Sequence, residues 1–301
     1  MARSGYWGGE GDAGARLLRQ HRARLRSVGG AFAGSWVRVM PVARWACALP
    51  ADYWAALCQR LGVAFEGLGG VRCGGCAHVH DRFAFHPGGC RGGNRGGMWS
   101  MRHDGLQRGV QMALQFSQTT VLPIRGQNWF GSAGFVASSA RPGSYRRGDL
   151  ILPHYRATGS HVIVDVAVGD PCGSVALAAG SDVRGGVAAA SKQSSKHRKY
   201  DSLCDQIGSE FRAGVVERFG ACCDDMQGLI RMVAGDGECD AGSVEWSPTA
   251  TSRITRAAQC VVFSTVMAEA RMVRDVMDLD VYGRERAALP GAGPRGTRGG
   301  G

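Results

Sequence analysis

The chain has 301 residues, 44% of them hydrophobic, enough for one large domain or two small ones with a real core. Its formal net charge is +11, and a surplus of this sign favours polyanionic partners such as nucleic acid, although an arginine-rich genome would give the same charge. No apolar run is long enough to span a membrane, and the Gly-rich N-terminus lacks a signal segment. We therefore expect a nuclear or cytoplasmic protein that is neither secreted nor membrane-spanning.

The N-terminal third is predicted to contain an arm and a helical linker. Residues 1–30 are expected to be disordered or a basic arm, although residues 11–28, with their arginines, could form a short helix. Residues 31–70 predict a helical segment with a helix from Ala51 to Gly62. The apolar stripe of that helix is assigned to the core and comprises Trp54, Leu57, Cys58 and Leu61.

A set of metal-ligand side chains follows in residues 71–100. Cys73, Cys76, His86 and Cys90 have the spacing C-x2-C-x9-H-x3-C, which suits a tetrahedral zinc knuckle. With 11 cysteines and no secretory signal, a metal is expected before disulfides. A closed four-ligand site would be structural, and the alternative is a Gly-rich loop with free thiols. The nitrogen ligand stays open, because two further histidines compete for it, His78 and His80.

Two predicted strands at the centre of the chain, residues 146–153 and 161–168, each carry one carboxylate among apolar residues. These are Asp149 and Asp165. Aspartate is a poor strand former, so it serves another purpose there, and two carboxylates on neighbouring strands could bind Mg²⁺ or Mn²⁺. The alternative is that each aspartate lies at a strand end or on a solvated face.

A lysine-rich helix is predicted after the two strands. Lys192, Lys196 and Lys199 fall on one face of it, and Tyr200 adjoins the last. A lysine placed beside the carboxylates could stabilise the transition state of phosphodiester hydrolysis or orient water, and the tyrosine could bind a phosphate. The first two lysines are the best placed, and the alternative is a solvated surface.

The remaining predicted elements surround these two motifs. A helix over residues 103–117 has the buried stripe Leu106, Val110, Ala113 and Leu114. Asp224 and Asp225 are assigned to helix capping. The other predictions are a strand and a long loop at 119–145, the lysine helix at 186–211, a strand at 213–219, helices at 224–234 and 252–277, and a disordered tail at 284–301.

The order of these motifs resembles the C-terminal part of non-LTR retrotransposon reverse transcriptase proteins, over about residues 31–280. In that family a zinc knuckle precedes a restriction-endonuclease-like domain of the PD-(D/E)xK type. The residues that carry the resemblance are the Cys/His set and the runs Arg102-His103-Asp104, Arg147-Gly148-Asp149, Val164-Asp165-Val166 and Lys196 to Tyr200.

The resemblance implies roles for individual residues. Asp149 stands for the aspartate of the PD element, with Gly148 in place of the proline, and Asp165 for the second acid. Ala167 occupies the usual lysine position, which the lysines and tyrosine of the next helix would fill. The preceding strand segment, residues 121–128, has no carboxylate. Basic side chains predicted to contact nucleic acid are Arg102, His103, Arg146 and Arg147.

The resemblance also implies a fold and a function. The expected fold is an α/β domain at residues 101–283, with a mixed sheet flanked by helices. The expected activity is a Mg²⁺- or Mn²⁺-dependent endonuclease that nicks target DNA for a retrotransposon, with structural Zn²⁺ and a reverse transcriptase half outside this chain. The alternatives are a catalytically dead zinc-knuckle protein that binds DNA or RNA, and a retroelement relic.

Overall fold

A computed structural model describes residues 10–39, 46–76, 78–90, 96–116, 122–123, 148–153, 160–233 and 248–278. Within these residues the chain forms eight α-helices and four strands, which confirms the predicted mixed α/β class. The helices are α1 Glu10–Val28, α2 Pro50–Leu61, α3 Phe85–Gly89, α4 Gly96–Phe116, α5 Ser174–Ala178, α6 Val187–Gln206, α7 Asp224–Val233 and α8 Pro248–Met277. The strands are β1 Leu122–Pro123, β2 Leu150–Leu152, β3 Val162–Gly169 and β4 Glu210–Glu217.

The strands form one mixed sheet in the order β1-β2-β3-β4. β1 pairs antiparallel with β2 and β2 antiparallel with β3, whereas β3 and β4 are parallel and are joined by the long helix α6. Successive residues of β3 point to opposite faces, and nearly all of them are buried, so both faces of the strand are covered. Helices α4 and α6 both contact β3, and α6 and α7 contact β4.

Helices α4 and α8 cross at very short distance, and glycine makes that crossing possible. A Cβ atom on Gly105 would lie 2.5 Å from the Cβ of Ala268, and one on Gly109 would lie 2.8 Å from the carbonyl oxygen of Cys260. The predicted α4 stripe, Leu106, Val110, Ala113 and Leu114, is buried in the same core, as expected. Since a larger side chain at either glycine would push the helices apart, this pair anchors α4 in its position under the sheet.

Several predicted boundaries change in the structure. The lysine helix ends at Gln206 and not at residue 211, because the chain turns at Gly208 with φ 62° and enters β4. Residues 11–28, which the sequence allows to be either a short helix or a mobile arm, belong to helix α1, and Ala23 in this helix is fully buried. The assignment of the whole α2 stripe to the core is wrong, since Trp54 is 64% and Leu61 67% exposed while Cys58 is buried.

The predicted tail at 284–301 and most of the loop at 119–145 lie outside the described residues. No described helix combines the length and the apolar character that a membrane crossing needs.

Candidate functional site

Four ligand atoms from Cys73, Cys76, His86 and Cys90 form one cluster in which all of them lie within 4.8 Å of one another. The Sγ atom of Cys76 lies 3.2 Å from Nε2 of His86 and 3.5 Å from Sγ of Cys90, which in turn lies 3.6 Å from Sγ of Cys73. Three sulfurs and one imidazole nitrogen at this separation form the donor set of a tetrahedral zinc site. The cluster could therefore hold a metal such as zinc, with all four positions filled by the protein.

Local structure explains why these four side chains meet. Arg72 and Val79 form an antiparallel bridge, which folds the first two cysteines into a tight turn. The amide of Gly75 donates to Sγ of Cys73 at 3.3 Å. Burial acts to raise the pKa of the Cys73 thiol, but amide hydrogens from Gly75 and Cys76 and the neighbouring thiols outweigh it, so the pKa is lowered. The turn thus favours a thiolate, the form that binds metal.

The second half of the cluster is set by a single carboxylate. Asp81 accepts hydrogen bonds from the backbone amides of Phe83, Phe85 and His86, at 2.9, 3.0 and 2.7 Å. These bonds cap the short helix α3 and fix the direction from which His86 enters the cluster.

The structure resolves which histidine belongs to the cluster. His86 is the nitrogen donor, whereas His78 stacks on its ring at 5.5 Å and His80 lies tilted at 5.2 Å. His80 is buried, and its amide donates to the carbonyl of Val71 within the hairpin. These two histidines therefore pack around the ligand His86.

Removing a bound metal is expected to loosen residues 68–90 first. Because four side chains would lose their common partner, the amides of this segment should lose protection from hydrogen exchange. Hydrogen exchange read by mass spectrometry, with and without a zinc chelator, checks this. Replacing Cys76 by serine should reproduce the change without chelator, whereas replacing Cys47, an exposed cysteine outside the cluster, should not. Equal protection in all samples would contradict a metal role for the cluster.

The second site lies where β2 and β3 pair, and it brings the two predicted carboxylates together. Asp149 immediately precedes β2, and its amide donates to the carbonyl of Val164 at 2.8 Å. The amide of Val166 donates to Oδ2 of Asp149 at 2.7 Å, which turns that carboxylate towards β3. Asp165 lies between these two valines and opposite Asp149 in the register of the two strands, so the two carboxyl groups influence each other's pKa.

Burial and mutual repulsion separate the pKa values of the two carboxyl groups. Burial, with the charge of Asp149, raises the pKa of Asp165 to about 6, although Lys196 opposes the change. For Asp149 burial also acts upward, but hydrogen bonds from His103 and Asp165 and the amide of Val166 leave its pKa below the usual value. The pair thus concentrates negative charge in a partly buried position, and a bound cation would reduce the repulsion between the two carboxylates.

One of the predicted lysines meets the carboxylates. The ammonium group of Lys196 contacts Oδ2 of Asp165 as a partly buried ion pair. Lys192 lies one helical turn earlier on α6. Lys199 donates to the hydroxyl of Tyr200 at 2.6 Å and lies over its ring at 4.4 Å. Tyr200 is only 1% exposed and packs on Phe211, so its ring belongs to the core.

Next to Lys196 on α6 lies His197, a residue that sequence reasoning missed. Its Nε2 atom lies 2.7 Å from Asp225, and its Nδ1 atom lies 2.8 Å from Asp201. Asp225 also accepts the amide of Ala213, the residue of β4 opposite Asp165. Asp225 lies in the first turn of α7, but its carboxylate bonds His197 and β4 rather than the helix it was predicted to cap, so it ties α6 to the edge strand of the sheet. The signal in the sequence that could have indicated His197 is its spacing of four residues from Asp201, which places the two side chains on the same face of α6.

His103, predicted to contact nucleic acid, lies at the carboxylate site. Its Nε2 atom is 3.1 Å from Oδ2 of Asp149, and its Nδ1 atom is 3.3 Å from Oδ1 of Asp104. The bond to Asp149 outweighs burial and raises the pKa of His103. One turn further along α4, Gln107 donates to the carbonyl of Asp149 at 3.1 Å.

Arg102 does not fit the predicted contact with nucleic acid. It is 2% exposed, and its guanidinium forms an ion pair of 2.9 Å with the buried Glu269 of α8. Neighbouring helix residues point about 100° apart, so Arg102 faces α8 while His103 faces the sheet. Arg146 and Arg147 lie outside the described residues.

Comparisons of the chain with protein-family models, with curated proteins and with solved structures found no match.

Proposed function

We propose that Asp149, Asp165 and Lys196 form the active site of a metal-dependent DNA endonuclease, and that the cysteine cluster is its structural zinc knuckle. One observation carries the proposal: the register of β2 and β3 places Asp149 opposite Asp165, and a lysine from the next helix is paired with Asp165. Carboxylates and a cation beside a common point are the groups that phosphodiester hydrolysis requires.

The order of elements supports this assignment. Helix α4, the antiparallel strands β1 to β3, helix α6 and the parallel strand β4 follow one another in the chain. This is the sequence of helix, strands and helix expected for the restriction-endonuclease-like core that the motifs resemble. In that arrangement the lysine position that Ala167 leaves vacant on β3 is filled by Lys196 from α6.

The carboxylate pair suits a hard divalent cation. Asp149 and Asp165 offer oxygen ligands, which Mg²⁺ and Mn²⁺ prefer, and their mutual repulsion gives a cation a favourable place. When bound, the metal would polarise the phosphate and activate water. The protein's own groups hold the arrangement: the amide of Val166 and the ring of His103 both bind Oδ2 of Asp149. Lys196 contributes a fixed positive charge near the phosphate oxygens.

The charge of the chain agrees with a nucleic-acid substrate. Its net charge of +11 favours binding to a polyanion, and the proposed zinc knuckle lies in the same chain as the carboxylate pair. We propose DNA as the substrate, nicked during insertion of a retrotransposon in the nucleus. A reverse transcriptase half outside this chain would be the partner.

A series of lysine variants tests the proposal on supercoiled plasmid. Wild-type protein should nick the plasmid with Mg²⁺ or Mn²⁺ and not with EDTA. Lys196→Met is expected to lower the rate about 100-fold, the cost of losing one well-placed charge in a transition state. The nicking rate of Lys199→Met should stay within about threefold of wild type, because Lys199 is paired with Tyr200. This corresponds to a change in activation free energy of less than about 1 kcal/mol. Lys192→Met should lose less than Lys196→Met.

Two results of the same series would count against the proposed endonuclease activity. Metal-independent nicking that all three variants retain would indicate a contaminating nuclease. DNA binding that weakens steeply with salt, without any nicking, would instead support a catalytically dead nucleic-acid-binding protein.

A further inference from the structure

The carboxylate of Asp149 is held both by His103 of helix α4 and by the strand that carries Asp165. Its Nε2 atom and the amide of Val166 bind the same carboxylate oxygen, Oδ2, at 3.1 and 2.7 Å. Two donors on one oxygen fix the rotation of the carboxyl group, so Oδ1 is the oxygen offered to a cation. The backbone of Asp149 is restrained too, by the bond from Gln107 to its carbonyl.

The other ring nitrogen of His103 has a partner of its own. Nδ1 lies 3.3 Å from Oδ1 of Asp104, the next residue of α4, so the three side chains form the chain Asp104–His103–Asp149. Carboxylate oxygens at both ring nitrogens orient the ring, which donates to both when Nδ1 and Nε2 each carry a hydrogen. Partners of this kind around metal ligands typically contribute 10- to 100-fold to metal affinity.

We infer that His103 is a positioning residue of a divalent-cation site formed by Asp149 and Asp165, acting by orienting the carboxylate of Asp149. The inference rests on the proposed function for the existence of the cation site and adds a residue from α4 to it. Helix α4 is itself locked against α8 through Gly105 and Gly109. The site is therefore built from three elements: α4, the β2–β3 pair and α6.

Binding of Mn²⁺, followed by electron paramagnetic resonance without DNA, tests this separately from cleavage. The protein is used with its zinc in place, and the Asp165→Asn variant defines the signal that does not come from the site. His103→Ala is expected to weaken Mn²⁺ binding about 10- to 100-fold. The side-chain amide of His103→Gln can still donate to Oδ2, so the Mn²⁺ affinity of this variant should lie within about threefold of wild type. This is a difference in binding free energy below about 1 kcal/mol.

The controls separate a positioning role from a general loss of structure. His103 is 37% exposed, so its alanine variant should melt close to the wild-type temperature. Arg108→Ala removes an exposed basic residue of the same helix and should leave Mn²⁺ affinity unchanged. Equal affinity of His103→Ala and wild type would overturn the role of His103 while leaving the metal site in place. Failure of wild-type protein to bind Mn²⁺ above the Asp165→Asn level would overturn both.

Discussion

Replacing Asp165 by asparagine is expected to lower the rate of plasmid nicking about 1,000-fold or more. An amide keeps the shape of the carboxylate but removes the negative charge that would hold a cation beside Asp149, and it leaves Lys196 without its anionic partner. A bound metal contributes several kcal/mol to the transition state, and each 1.36 kcal/mol corresponds to a factor of ten. The measurement is the initial rate of conversion of supercoiled to open-circle plasmid at saturating Mg²⁺.

The stability of the Asp165→Asn variant serves as its control. Because the folded-state pKa of Asp165, about 6, lies above the ordinary 3.8, the folded protein binds more protons than the unfolded chain between these values. The contribution of this group to stability therefore falls as the pH rises through that window. At pH 7.5 the variant should unfold at the wild-type temperature or above it. Asp205→Asn, which changes an exposed carboxylate near the end of α6, should leave both rate and stability unchanged.

The same pKa predicts a pH dependence for the proposed nuclease activity. Asp165 must lose its proton to bind a cation, so at subsaturating Mg²⁺ the nicking rate should rise as the pH passes through about 6. A rate that stays constant from well below this value to neutral pH would show that Asp165 is not a metal ligand.

Replacing Glu269 by glutamine is expected to lower the free energy of unfolding by about 3–5 kcal/mol, the typical cost of breaking a buried ion pair from one side. The carboxylate of Glu269 is 1% exposed and lies between two buried arginines, Arg102 at 2.9 Å and Arg218 at 2.7 Å. Burial alone would lower the pKa of Arg218, but Glu269 and Asp170 raise it, so the arginine stays charged. Glutamine would leave Arg102 facing a neutral group and would leave Arg218 with the more distant Asp170, at 3.6 Å, in place of Glu269.

The loss of the ion pairs of Glu269 should also destabilise the cysteine cluster. Arg218 donates to the carbonyls of Ala84 and Phe85 at 3.1 Å each, and Phe85 immediately precedes the ligand His86. Urea denaturation gives the change in free energy, and Arg271→Gln on the same helix is the matched control. Arg271 is 49% exposed and shares Asp52 with Arg274, so its loss should cost less than about 1 kcal/mol. Equal effects of the two variants would contradict a special role for the buried network.

The sequence predicts those features that depend on spacing along the chain. The cysteine and histidine spacing indicates a four-ligand cluster, and the apolar stripe of α4 indicates its buried face, because both follow from local geometry. The two aspartates were recognisable because aspartate is rare in strand-like sequence, although only Asp165 lies within a strand and Asp149 lies just before β2. Their register is observed only in the structure, where Asp149 is drawn to β3 by the amide of Val166.

The features that sequence could not predict depend on how the helices lie against the sheet. Three lysines share one face of α6, and only the position of the helix over β3 shows that Lys196 meets Asp165. Arg102 and His103 are adjacent basic residues, but the rotation of α4 places one in the core and the other at the carboxylates. Trp54 is exposed because α2 presents its smaller residues to the core.

The most direct test of the proposed active site is anomalous diffraction from crystals of the zinc-containing protein soaked in Mn²⁺. Data at the zinc and manganese absorption edges distinguish the two metals within one crystal. We predict a zinc peak surrounded by Cys73, Cys76, His86 and Cys90, and a manganese peak bound by the carboxylates of Asp149 and Asp165 next to Lys196. Manganese that binds elsewhere, or carboxylates that stay paired only with Lys196 and His103 at saturating Mn²⁺, would contradict the proposed metal-dependent nuclease site.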